Sequence, residues 1–158
     1  MHRIRVYVDT SVFGGTQDEE FSGPSRRFFT RVAEGRYVVL VSQITIAELD
    51  GAPEAVNDVL LSLPPTGVER VAIGQDVDDL ADAYIAARAL GRTSLADAMH
   101  VAAATVAGAD LILSWNFRHI VRFDRIRMFN GVNALNGYRS LDIRSPLEVD
   151  YGAEDQDV

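Results

Sequence analysis

The sequence predicts an α/β fold with a parallel sheet, and three observations carry that expectation. Strand-like runs alternate with helical stretches along the whole chain. The run "DLILS" (110–114) is short and apolar, as suits a strand covered on both faces. The helical stretch before it, "ADAMHVAAATVAGA", is rich in alanine, whose small side chain lets a helix lie close to a sheet. At 158 residues the chain suits one domain with a sizeable core.

The elements follow in order. Residues 3–8 read as a first strand, in which Val6, Tyr7 and Val8 lead directly into Asp9, then Thr10, Ser11 and a loop holding Gly14 and Gly15. "GPSRRFFTRVAEG" (23–35) reads as a helix, with Pro24 early and Gly35 just past its end. "RYVVLVS" (36–42) is a second strand. A short helix over 42–52 stops at Gly51, and another over 53–65 begins at Pro53 and ends at Pro64 and Pro65. "GVERVAI" (67–73) is a strand. Two helices, 76–91 and 94–109, each close near a glycine. Strands at 110–114 and "SLDIRS" (140–145) complete the series, and the stretch between them is assigned no element.

Composition narrows the chemistry. There is no cysteine, which excludes disulfides and thiolate metal sites, and there is no lysine, so all fifteen Lys/Arg positions are arginine. The net charge of −8 argues against a nucleic-acid partner, but it is unevenly spread. Glu148, Asp150, Glu154, Asp155 and Asp157 lie in one terminal stretch and account for more than half of it. We therefore expect one domain over 1–147 and an acidic, flexible tail over 148–158. "FRHIVRFDRIR", by contrast, holds Arg118, Arg122, Arg125 and Arg127 against Asp124 alone. No run spans a bilayer and no signal peptide opens the chain, so a cytoplasmic location without membrane attachment is expected.

A carboxylate at the tip of a buried strand invites explanation. Ligands of parallel sheets bind beyond the carboxyl ends of the strands, where Asp9 sits. Glu48 follows the second strand, and Asp97 begins the helix that leads into "DLILS". Each has an ordinary structural explanation: Asp9 as a helix N-cap, and Thr45–Glu48 and Ser94–Asp97 as capping boxes. Together, three acids converging on one sheet edge would repel each other and call for a cation, for which hard oxygen ligands suit Mg²⁺ or Mn²⁺. Asn116, at the end of "LILSW", is either a turn residue or a neutral oxygen ligand that positions a water. Ser11 and Ser114 are candidate donors to these carboxylates. His100, one helical turn after Asp97, either faces the site or packs. Trp115 either stacks on a base or belongs to the core.

These stretches resemble the PIN-domain family, and within it the ribonuclease toxins of VapC type. The resemblance rests on "VYVDTSVFGG", "VSQITIAELDGA", "SLADAMHVAAATVAGADLILSWNFRHIV" and "NGYRSLDIRSPLEV", which span nearly the whole chain. It implies a three-layer α/β/α sandwich around a parallel sheet. It implies Mg²⁺- or Mn²⁺-dependent hydrolysis of RNA phosphodiester bonds, with Asp9, Glu48 and Asp97 holding the metal and Asn116 completing the catalytic set. Arg118 and Arg122 would hold the RNA backbone. A small antitoxin protein and a homodimer are implied as partners, and Phe28, Phe29, Val59 and Leu60 would supply either core or a groove for a partner's helix. The family has an aspartate after its fourth strand, often followed by a second acid; here Asn116 and Arg118 stand at those places. That departure leaves a catalytically weakened RNA- or protein-binding module as the alternative.

Other enzymes that begin with an aspartate after the first strand fit less well. A haloacid-dehalogenase-like phosphatase needs a second acid where Ser11 stands, and a later lysine. A receiver domain needs an acidic pair and a lysine. A nicotinamide-binding domain needs a glycine-rich fingerprint that "VFGGTQ" does not supply.

Overall fold

The computed structural model describes residues 3–149. Five strands form one all-parallel sheet: β1 (Ile4–Val8), β2 (Tyr37–Ser42), β3 (Val68–Val71), β4 (Leu111–Leu113) and β5 (Asp142–Arg144), in the order β3-β2-β1-β4-β5. β1 is central, with Tyr7 opposite Leu40 of β2 and Ile112 of β4. Seven helices cover the sheet: α1 (Thr10–Gly15), α2 (Ser22–Ala33), α3 (Gln43–Asp50), α4 (Glu54–Leu61), α5 (Gln75–Ala86), α6 (Leu95–Val106) and α7 (Phe123–Leu135).

Strand side chains alternate between two faces. Tyr7, Leu40, Ile112 and Ile143 enter one core with Val77, Leu80 and Tyr84 of α5, Val101 and four alanines of α6, and Phe129 of α7. Val6, Val8, Val39, Val41, Leu111 and Leu113 enter the other, with Val12 and Phe13 of α1, Phe28, Phe29 and Val32 of α2, and Leu49 of α3. The fold is the expected α/β/α sandwich. Phe28 and Phe29 are buried in it, so neither is free to line a partner's groove.

Two helices depart from the sequence reading. α1 forms where a loop is expected, although Thr10, Val12 and two glycines are poor helix formers. Burial of Val12 and Phe13 outweighs that preference. α7 occupies the unassigned stretch. It buries only Phe129, Val132 and Asn133, and its inner contact is partly polar: the Tyr84 hydroxyl donates to Asn133 Oδ1 at 2.5 Å. A helix with so narrow an apolar stripe leaves a weak periodic signal. Only the first two residues of the expected tail, 148 and 149, are described. Glu148 and Val149 lie in a 3₁₀ turn, Pro146–Val149, where Glu148 accepts from Arg144 Nη1 at 2.8 Å; the rest of the tail, 150–158, lies outside the described residues.

The end of α5 yields a prediction. Arg88 has φ 62°, and the bonds Arg88 N–H to Ile85 O and Ala89 N–H to Tyr84 O form a Schellman motif. Its left-handed position favours glycine because a Cβ there crowds the following carbonyl. Arg88→Gly is expected to stabilise the fold by about 1 kcal/mol, read as a higher urea midpoint at unchanged slope.

Candidate active site

The strand order reverses at β1, whose neighbours β2 and β4 lie on opposite sides. Its carboxyl end is therefore a switch point where helices diverge and leave a crevice. Asp9 stands there, its backbone N–H still donating to Leu113 O at 2.9 Å. It is the N-cap residue of α1, yet its side chain makes no capping bond. Instead Oδ2 accepts from Ser11 Oγ at 2.8 Å and from Ser114 Oγ at 2.7 Å. Two hydroxyls thus fix the orientation of a carboxylate that is only 6% exposed.

The capping boxes are not what hold the other acids. Ser42 is the N-cap of α3 and its hydroxyl accepts from Thr45 N–H, leaving Glu48 free of a capping role. Ser94 precedes α6 without a side-chain capping bond. Asp9, Glu48, Asp97 and Asn116 instead line one cleft, together with Thr10, Ser11, Gly14, Gly15, Asp18, Phe21 and Trp115; its volume is about 530 Å³.

His100 reaches this cleft from below. It is three residues after Asp97 and hence on the same face of α6. The ring is buried: Nε2 lies 2.5 Å from Glu48 Oε1 and 3.7 Å from Asp9 Oδ1, and Nδ1 lies 2.8 Å from the Tyr7 hydroxyl. Tyr7 also meets Ser42 Oγ at 2.8 Å. Burial pushes the Tyr7 phenol up to about 12, so it stays protonated at neutral pH. When His100 is neutral, Nε2–H donates to Glu48 and Tyr7 donates to Nδ1. When it is cationic, both ring N–H groups donate and Tyr7 turns its proton toward Ser42. Glu48 is held in either state.

The electrostatics follow. Burial lowers the His100 pKa, but the Glu48 hydrogen bond and the charges of Asp9, Glu48 and Asp97 outweigh it, and the net direction is up. The His100 hydrogen bond holds Glu48 below the usual carboxylate range, against partial burial. Asp97 moves the other way: burial first, then the charge of Asp9, raise it against the pull of His119, His100 and a hydrogen bond from Asn116.

Asn116 serves as turn residue and cleft residue at once. Its Oδ1 accepts from His119 N–H at 2.9 Å, while its side chain also bonds Asp97. Arg118 is exposed two residues on. Arg122 is exposed and pairs with Asp124 at 2.8 Å, so its charge is partly compensated. Trp115 is core: Nε1–H donates to Ser25 Oγ at 2.9 Å, and the peptide N–H donates to Ser11 Oγ at 2.9 Å.

Among the described residues, no group of three or more acidic or histidine side chains closes into a metal shell. His100 takes up one side of Glu48. The chemistry of the donor set nevertheless suits a hard divalent ion: three carboxylates and an amide face one cleft, and the charge of Asp9, which adds to burial in lifting Asp97, is what a cation would offset.

Packing beneath the cleft makes a second prediction. A Cβ on Gly15 would lie 2.6 Å from Ser25 Oγ and 2.7 Å from Trp115 Nε1. Gly15→Ala is expected to break the Trp115–Ser25 bond, destabilise the fold by about 1–3 kcal/mol, and shift the emission of this sole tryptophan.

Comparison with known proteins places this geometry. Residues 6–126 match the family model of the PIN domain. No significant match is found among curated proteins. Among solved structures, the chain is similar to the crystal structure of VapBC2 from Rickettsia felis bound to a DNA fragment from their promoter. The TM-score is 0.58 at 13% identity, over 90% of this chain and 98% of that one, a likeness of fold.

Proposed function

The chain belongs to the PIN domain family, whose members are generally nucleases, and on that premise we propose that it is a Mg²⁺- or Mn²⁺-dependent endoribonuclease, the toxin of a toxin–antitoxin pair. The meeting of Asp9, Glu48, Asp97 and Asn116 in one cleft at the carboxyl ends of β1 and β4 carries the reading.

Asp9, Glu48 and Asp97 would hold the divalent ion. When bound, the ion supplies Lewis-acid activation of the attacking water and neutralises charge on the phosphate. Ser11 and Ser114 keep Asp9 in one rotamer, and His100 does the same for Glu48. One of these carboxylates is suited to accept the proton of the water. Arg118 and Arg122 are suited to the RNA backbone. A small antitoxin and a second copy are the proposed protein partners, in the cytoplasm; no helix among the described residues is long and apolar enough to cross a membrane. An antitoxin arginine would satisfy the acidic cleft as a cation does.

The test is cleavage of a panel of structured RNAs by the purified chain, freed of any partner. Cleavage with Mg²⁺ or Mn²⁺, leaving 5′-phosphates and absent with EDTA, is expected. The alternative, a weakened binding module, is favoured by Asn116 in place of an acid, and RNA bound but uncut would establish it. Asn116→Asp adds a negative ligand and is expected to tighten Mn²⁺ binding about tenfold, measured by calorimetry. Unchanged affinity would place Asn116 outside the metal's surroundings.

A further inference from the structure

The aromatic side chains beside the cleft take no part in the hydrolytic chemistry. Phe21, immediately before α2, stacks on Trp115 with centroids 4.2 Å apart and planes 20° from parallel. Phe117 meets the same indole edge-on, at 6.1 Å and 67°. Bonds from both its ring and its peptide nitrogen hold Trp115, which makes it a fixed floor. Phe21 is half-buried and lines the cleft, whereas Phe117 is 45% exposed. Arg118, also exposed, directly follows it.

One hydroxyl couples this array to the acids. Ser11 Oγ accepts from Trp115 N–H and donates to Asp9 Oδ2. The aromatic surface and the carboxylate are thus held in fixed register. A base can use such a surface only when unpaired, because duplex bases are already stacked on one another.

We propose that Phe21, Trp115 and Phe117 form a stacking platform for an unpaired nucleobase of the RNA strand whose phosphate lies at the acidic cleft. The inference rests on the nuclease reading for the nature of its ligand. Trp115 is the floor; Phe21 and Phe117 are the faces offered to the base.

Binding without turnover tests this. The anisotropy of a labelled single-stranded RNA is followed with Ca²⁺ replacing Mg²⁺, with its intactness checked on a gel. It is compared with the same strand carrying consecutive abasic positions and with its duplex. The wild type is expected to bind the intact strand about tenfold tighter than the abasic one, and the duplex more weakly. Phe21→Leu and Phe117→Leu are expected to remove most of that ratio and leave abasic binding unchanged. Phe21→Tyr and Phe117→Tyr, which keep the aromatic face, are expected to retain the ratio, and they decide the matter if the leucine variants fail to fold. Four results would each overturn the proposal: no RNA binding by the wild type, equal losses on intact and abasic strands, an unchanged ratio in the leucine variants, or duplex binding as tight as single-strand binding. Failure of the nuclease reading shows differently, as RNA left uncut with Mg²⁺ while the ratio persists.

Discussion

Asp9→Asn is expected to lower metal-dependent RNA cleavage by about two orders of magnitude or more, with the fold retained. The asparagine oxygen can still accept from Ser11 and Ser114, so the strand end keeps its hydrogen bonds. What disappears is the charge of a carboxylate nearly withdrawn from water, whose Oδ1 lies 3.7 Å from His100 Nε2 and whose field acts on Asp97. Because Asp9 is one cause of the raised Asp97 pKa, the variant is also expected to unfold no earlier than the wild type without metal, or later. The sign follows from linkage. A carboxyl whose folded pKa exceeds its unfolded value destabilises the fold once pH rises through that range. The gain is therefore expected at neutral pH and should vanish in acid, where Asp97 is neutral in both states. Thermal scans with EDTA at the two pH values, beside the cleavage assay, check both halves. Cleavage at the wild-type rate would mean that the reaction happens elsewhere.

His100→Ala should carry the largest stability loss of any polar substitution in the site, roughly 3 kcal/mol. The ring is 1% exposed, so its removal opens a cavity. It also strips a partner from the Tyr7 hydroxyl and another from Glu48. His100→Gln, whose amide still donates, is expected to lose less. Urea denaturation without metal gives both values. If alanine and glutamine cost the same, the polar contacts contribute nothing beyond the volume of the ring.

Much of the architecture was legible because the chain repeats one device, an apolar strand followed by a helix that covers it. Every strand and the helices of residues 22–106 announce themselves by period, proline and glycine. α1 and α7 did not, and for opposite reasons. α1 has two strong core anchors in a sequence whose local preference is against a helix, so the tertiary fold decided. α7 is built from acceptable helix formers but turns a polar residue, Asn133, toward the core, so its period is faint. In the site, strand ends pointed to Asp9, Glu48 and Asn116, and the start of the helix that feeds β4 to Asp97; the structure brings these four to one cleft. The role of His100 was harder to read. A histidine three residues after Asp97 can pack or serve, and only the position of Tyr7 across the sheet shows why this one is oriented. Tyr7 looked like any strand residue, because nothing in a sequence tells which face of a central strand meets a polar partner.

The placement of β1 has a consequence during synthesis. One of the two hydroxyls that fix Asp9 comes from Ser114, 105 residues later in the chain. β1 can pair with β2 early, but its other edge and the second bond to Asp9 wait for β4. At typical elongation rates that interval is about 5–20 s. Until residue 97 is made the acids of the first half lack Asp97, and until residue 116 they lack Asn116, so on the proposed nuclease reading a ribosome-bound fragment would hold an incomplete cleft. On that reading activity would arrive only when most of the polypeptide has emerged, and the proposed partner, made at the same time, would meet an enzyme that has not yet acted.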